Sequence, residues 1–408
     1  MKESIIRPVS SDNRIQSLDL LRGFAILGIL IMNIQSFSMP GAAYMNPSSY
    51  GDFSGFNRWV WMVSHVLADQ KFMTIFSILF GAGIVLVTQN AESKYGNSAE
   101  LHYKRNFGLL LIGLLHAHLI WYGDILVTYA LCSFLVYLFR KKKPGTLIIL
   151  GLILFSIHSL IYWFFGTSIP NWPAESVIEA KASWMPSQAE IQLEIQTVNG
   201  PLSQQLSHNS ESALFLETMV FLSFMFWRAG GLMLIGMGIY KMGVLSAQKS
   251  TSFYQRGILL GWIIGFPLVI YGMMKNFEVG WSFEYSMFLG SQWNYWGSLF
   301  VSLGYICLVM LIAKSDKYHQ LKNRIAAIGQ MALTNYISQS ILCIFIFHGI
   351  GLSLFGQVER SGQVLVILFV WATQFLWSQP WLARYRFGPL EWLWRSVTYG
   401  KSQPMKKI

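Results

Sequence analysis

The feature that most constrains this chain is a succession of about ten apolar runs, each roughly 17–25 residues long, the length of helix that crosses the hydrocarbon core of a bilayer. In lipid the backbone must satisfy its own hydrogen bonds, so a run of that length folds as a helix. The chain therefore reads as all-α, a polytopic membrane protein with about ten transmembrane helices. The spans are 18–38, 59–88, 106–122, 124–140, 146–165, 213–240, 257–275, 292–313, 325–348 and 362–380. Composition agrees: 53% of the 408 residues are hydrophobic and 12% charged, where a soluble domain is about a quarter charged. Cys132, Cys307 and Cys343 fall inside these runs without a CxxC or ligand spacing, so they read as small packing residues and no metal is expected.

The net charge of +11 is distributed by loop and does not form a nucleic-acid surface. Basic residues gather between alternate runs: Lys2, Arg7 and Arg14; Lys94, Lys104 and Arg105; Arg140 to Lys143; Lys241, Lys249 and Arg256; Lys314, Lys317, Lys322 and Arg324; and the tail from Arg384 to Lys407. The opposite loops carry Arg58, Lys181, Lys275 and Arg360. Lysine and arginine excess marks the cytoplasmic side, so both termini are expected in the cytoplasm. The first run is too long, and lacks the small-residue site, for a cleaved signal peptide.

The organisation follows. Residues 1–17 form a cytoplasmic segment, 18–165 a first five-helix half, 166–212 an outer, periplasmic loop, 213–380 a second five-helix half, and 381–408 a cytoplasmic interfacial helix and tail. In the outer loop, "SQAEIQLEIQTV" has an amphipathic pattern that suits a surface helix; a solvated connector is the other reading. In the tail, Pro389 suits a helix start, Glu391 and Arg395 are spaced as an i,i+4 pair, and Trp392 and Trp394 suit the headgroup region. The glycines of "FGAG", "AGGLMLIGMG" and "GILLGWIIG" lie within apolar helices, where small residues permit close approach.

The chemistry-bearing groups interrupt the apolar runs. In "LDLLRGFAILGILIMNI", Asp19 and Arg22 share a helix face. Asn33 lies eleven residues beyond Arg22, three turns and roughly 16 Å along the same stripe. An ion pair capping the helix and an intramembrane functional site are both consistent with that stripe. Lys71 lies deep in the second run, where Asp69 or Asp19 is the economical partner. His116 and His118 interrupt the third run, with Asp124 after the short "WYGD" link. His116 lies eleven residues above Arg105, which should bring it near the depth of Asn33, and Asp124 is within reach if the chain turns back at Gly123. His118 lies about 200° round the helix from His116. In "GQMALTNYISQS", Gln330, Thr334 and Ser338 form one stripe, and Asn335 and Gln339 another; such groups glue helices or line a polar cavity. Arg228 is a further buried or interfacial cation.

The segments "LDLLRGFAILGILIMNI", "AAYMNPSSYG", "KFMTIFSILFGAG", "HAHLIWYGDIL", "GLMLIGMG", "MALTNYISQS" and "GPLEWLWR" resemble, in order from about residue 14 to 400, the YeiB-type family of bacterial inner-membrane proteins. Over the first three helices the Asp-x-x-Arg-Gly opening, with Asn33 eleven residues after the arginine, is distantly similar to heparan-type transmembrane acetyltransferases. Bacterial envelope O-acyltransferases have a comparable Arg-x10-His spacing, with histidine where this chain has Asn33. That resemblance implies an acyltransferase-like 18–165 half working in the bacterial inner membrane. An acyl-CoA donor, acetyl-CoA among the candidates, would meet Arg22, Lys104 and Arg105, with Asp19 and Lys71 as supporting groups. His116 would be the base, Asn33 an oxyanion donor and Asp124 the orienting acid. Asn335, Gln339 and Arg228 would face an envelope glycan or lipid acceptor. The competing reading is a transporter or flippase with Asp19, Lys71, Asp124 and His116 as an ion or proton relay; a non-catalytic membrane scaffold is the third.

Overall fold

In the computed structural model, which describes residues 15–407, helices carry the whole architecture, and the only β pairing among the described residues is one isolated bridge, Tyr385 with Lys406. The N-terminal block Lys2, Arg7 and Arg14 lies outside the described residues. All ten predicted segments are helical. Among the described residues, seven helices are long and apolar enough to cross a membrane: Gln16–Ser38, Gly55–Ser93, Pro144–Asn171, Leu202–Lys241, Thr251–Glu278, Phe283–Lys314 and Arg360–Arg384. An eighth forms if His319–Gln330 and Ala332–Phe347 count as one span, which is bent by 81°. The remaining two predicted segments differ for identifiable reasons. Ala99–Leu119 carries His102, Lys104, Arg105, Asn106 and two further histidines. Leu126–Val136 has 11 residues, prolonged only by a 3-10 turn at Tyr137–Phe139, and is too short to span alone.

The middle of the bundle is Phe226–Lys241, in which every residue from Arg228 to Gly238 is buried. It packs against Lys71–Tyr95, Pro144–Ser168 and Leu126–Val136. Gln16–Ser38 packs most closely against His319–Gln330. A Cβ on Gly23 would stand 1.9 Å from the Ile325 carbonyl oxygen, and one on Gly329 1.9 Å from that of Asp19. Two facing glycines are therefore what let these backbones touch.

The 166–212 segment is packed rather than a loose connector. Ser187 and Glu190 form a capping box that starts Gln188–Val198, the pattern that satisfies two open amides at once. That helix buries Ile191 and Val198, and its Glu194 accepts a hydrogen bond from the Gly41 amide at 2.9 Å. It covers the bundle end where Gln16–Ser38 finishes. At the other end, the tail helix Pro389–Thr398 does begin at Pro389. Glu391 turns its carboxylate onto the start of Ala332–Phe347, accepting from the Leu333 amide at 2.7 Å, the Thr334 amide at 3.1 Å and the Thr334 hydroxyl at 2.5 Å. The Leu390 amide in turn donates to Thr334 Oγ1 at 3.0 Å. These bonds satisfy open amides of the helix start, beside the 81° bend.

Candidate functional site

A cavity of about 300 Å³ lies between Gln16–Ser38, Lys71–Tyr95, Ala99–Leu119, Ala332–Phe347 and the tail helix, within the size range of small-molecule sites. Its mouth is charged and its interior is not. At the mouth stand Asp19, Arg22, His102, Arg105, Asn106, Glu391, Arg395 and Tyr399. Arg22 Nη1 is 3.0 Å from Asp19 Oδ1, the i,i+3 pair expected of the first helix. Arg105 lies over the Trp394 ring at 4.1 Å, while Trp394 Nε1 donates to the Arg105 carbonyl at 2.7 Å. Arg395 lies over Phe387 at 4.6 Å. Three guanidinium groups thus stand at the mouth, Arg22 beside a carboxylate and Arg105 and Arg395 against rings, and the arginine fork is suited to an anion such as phosphate. Above them Ile26, Ile29, Phe76, Phe80, Ile84, Leu109 and Leu333 make an apolar shaft, which reaches Tyr129 and Tyr336.

Behind Tyr336 lies a buried polar relay. The His116 ring is 5.2 Å from that of Tyr336. Its Nδ1 is 2.7 Å from Asp124 Oδ2, with the two side chains 0% and 1% exposed. Its Nε2 is 2.9 Å from Ser340 Oγ. The second Asp124 oxygen accepts from the Val127 amide at 2.8 Å, which ties the carboxylate to the first turn of Leu126–Val136. The chain turns back at Gly123, where a Cβ would stand 2.3 Å from the Trp121 ring, so only glycine fits this turn. A carboxylate on Nδ1 fixes the tautomer with the proton there, leaves the Nε2 lone pair toward Ser340, and makes the serine hydroxyl the donor.

The other predicted groups lie elsewhere. Lys104 points away from the cavity, 60% exposed and paired with Glu100. Asn33 is half-buried, and among the described residues it neither lines the cavity nor joins the His116 relay. Asn335 and Gln339 serve packing contacts: Asn335 donates to the Ile328 carbonyl and Ser378, and Gln339 to the Ile26 carbonyl and Gln374. Lys71 and Arg228 belong to a second buried cluster. Lys71 Nζ donates to Asn294 Oδ1 at 2.6 Å and to the His65 carbonyl at 2.8 Å. Asn294 donates to Asp69 Oδ2 at 2.7 Å, and His65 Nδ1 lies 3.0 Å from the same oxygen. Asp69 is therefore the carboxylate that serves Lys71, through Asn294. Arg228, wholly buried, donates to Thr74 Oγ1 at 2.8 Å and Ser298 Oγ at 2.9 Å. His118 meets Glu217 at 3.4 Å, away from the relay.

Sequence reasoning missed Ser340, Tyr336 and Arg395 as site residues. Tyr336 and Ser340 are four apart and share a helix face, a signal present in the sequence; nothing local ties either to His116.

Three comparisons bear on kinship. A family profile described as a protein of unknown function (DUF418) matches residues 239–401. The chain is 32% identical to the uncharacterized protein YxaH of Bacillus subtilis (strain 168), over 99% of each chain. It is 29% identical to the uncharacterized protein YeiB of Escherichia coli (strain K12), over 95% of this chain and 97% of that one.

Proposed function

The chain belongs to the YeiB-type, DUF418 family of membrane proteins, and on that premise we propose that it moves an acyl group from cytosolic acyl-CoA to a glycan or lipid acceptor of the bacterial envelope. The observation that carries this reading is the amphipathic cavity: three arginines at the mouth, an apolar shaft, and the His116–Asp124 pair beyond its deep end. The lysine and arginine asymmetry would put that mouth on the cytosolic side of the membrane. Acyl-CoA presents charged phosphates, a thin pantetheine arm and an apolar acyl end in that order, and the cavity offers matching surroundings in the same order. Arg22, aligned by Asp19, with Arg105 and Arg395, would hold phosphate; the arginine fork suits it better than a lysine point charge. His116, oriented by Asp124, would take a proton from the attacking hydroxyl and return it to the leaving group. The buried Tyr336 hydroxyl, which donates to no group among the described residues, would have a donor to spare for developing negative charge.

The test is calorimetric titration of acetyl-CoA, and of a long-chain acyl-CoA, into the purified full-length protein in detergent. Arg22→Lys and Arg105→Lys should fold normally and bind at least tenfold more weakly, about 1.4 kcal/mol. Absence of binding to the well-folded wild type would defeat the reading. The transport reading draws on the second buried cluster around Lys71, Asp69 and Arg228, and on the bent Gln330–Ala332 junction, since interrupted helices line many transport paths. Acyl-CoA binding at the arginine mouth separates the two.

A further inference from the structure

We propose that Ser340 is the nucleophile of the transfer and carries the acyl group as an ester between two half-reactions; this rests on the acyl-transfer reading above. A hydroxyl on a membrane helix ordinarily returns its hydrogen bond to the carbonyl four residues back. Other hydroxyls of this protein do so: Ser38 to Ile34 at 2.7 Å, Ser77 to Met73 at 2.9 Å and Thr88 to Ile84 at 2.7 Å. Ser340 differs. Its distance to the Tyr336 carbonyl is 3.5 Å, whereas His116 Nε2 stands at 2.9 Å. The serine hydroxyl is thus aimed at an imidazole whose other nitrogen is held by a buried carboxylate, the arrangement that activates a serine. His116 comes from Ala99–Leu119, Asp124 from the link that precedes Leu126–Val136 and Ser340 from Ala332–Phe347, with Ser340 224 positions from His116.

The position suits a carrier. Ser340 lies midway along Ala332–Phe347. Two turns below it, that helix starts at the arginine mouth, where Glu391 holds it. Its far end, at Phe347, packs with Val198 of the outer segment in one core cluster. Tyr336, one turn nearer the mouth on the same face, lines the cavity and separates it from the serine. A swing of that ring would join the two.

In the first half-reaction Ser340 Oγ bonds to the thioester carbonyl carbon and its proton passes to His116 Nε2. The carbon–sulfur bond then breaks, and the departing CoA sulfur takes that proton. In the second, an acceptor hydroxyl gives its proton to Nε2 and bonds to the same carbonyl carbon. The ester bond to Ser340 breaks and the serine oxygen recovers the proton. No electrons change hands; the products are free CoA and an acylated acceptor.

The test incubates the purified full-length protein with acetyl-CoA radiolabelled in the acetyl group, without acceptor, then denatures it. The wild type should retain label on the peptide containing Ser340, released by hydroxylamine. Ser340→Ala should bind acetyl-CoA as well as wild type in calorimetry, yet lose the label and lose transfer by roughly a hundredfold or more. Ser340→Cys should regain label as a thioester cleaved by neutral hydroxylamine. Label on another residue, or full transfer by Ser340→Ala, would overturn the carrier role while leaving acyl transfer intact. Failure of the wild type to bind acetyl-CoA would bring down both.

Discussion

Replacing Asp124 by asparagine changes one atom of the relay and reverses its polarity. The new side chain keeps an oxygen for the Val127 amide, now 2.8 Å from Oδ1. It places an NH2 where Oδ2 stood, 2.7 Å from His116 Nδ1. Two donors then face each other, so the imidazole must move its proton to Nε2. There it meets Ser340, at 2.9 Å, as a donor and no longer as an acceptor. With both side chains essentially inaccessible, water does not replace the lost charge-assisted bond, and the cost is about 1.5–3 kcal/mol. Asp124→Ala also frees the Val127 amide and leaves a void, a further ~1–2 kcal/mol, or about 2.5–5 kcal/mol in all. Thermal unfolding of detergent-purified protein should therefore rank wild type above Asp124→Asn above Asp124→Ala. Acetyl transfer by Asp124→Asn should fall by roughly a hundredfold to ten-thousandfold, the range for losing an oriented base. Equal melting of all three proteins, or undiminished transfer by Asp124→Asn, would show that the relay is not held as described.

Glu391 offers a pH test. Its burial pushes the carboxyl above its ordinary value, although the bonds from Thr334 and Leu333 pull the other way. The folded state therefore holds the proton to higher pH than the unfolded state. Stability from this group is present below the ordinary carboxylate range and lost as pH rises through the raised value. Melting temperatures of wild type and Glu391→Gln across mildly acidic to neutral pH should show the wild type declining relative to the variant over that window; parallel curves would refute it. Gly329→Ala should cost about 1–3 kcal/mol by overpacking, because its Cβ meets the Asp19 carbonyl at 1.9 Å. Gly145→Ala, with nothing within 4 Å, should melt within about 0.5 kcal/mol of wild type; equal effects would show that the 16–38 and 319–330 helices do not touch there. Reporter fusions at Lys143, Gln188 and Lys401 should read inside, outside and inside, and any other order would overturn the orientation of the arginine mouth.

Several features of the fold and site are local, and the sequence by itself determined them. Run length and the scarcity of charge fix an all-helical membrane protein. Pro389 fixes a helix start and Ser187 with Glu190 a cap, because each acts through backbone groups only a few residues away. The Asp19–Arg22 pair is legible from a three-residue spacing. The His116–Asp124 contact is legible from an eight-residue separation with a glycine turn inside it. What the tertiary structure decided is how those helices are rotated and bent against one another. Lys71 and Arg228 share polarity with the cavity groups but face a different interface, toward Asn294 and Ser298. Asn33 lies on the stripe of Arg22, yet the cavity and the relay pass it by. Ser340 acquires its meaning from His116, 224 positions away, and Glu391 from amides 57 and 58 positions away. Hydropathy specifies that a helix is immersed. The direction each face points is set by which small residues let two backbones meet, as Gly23 and Gly329 do, and by which buried polar groups must find a partner where water is absent.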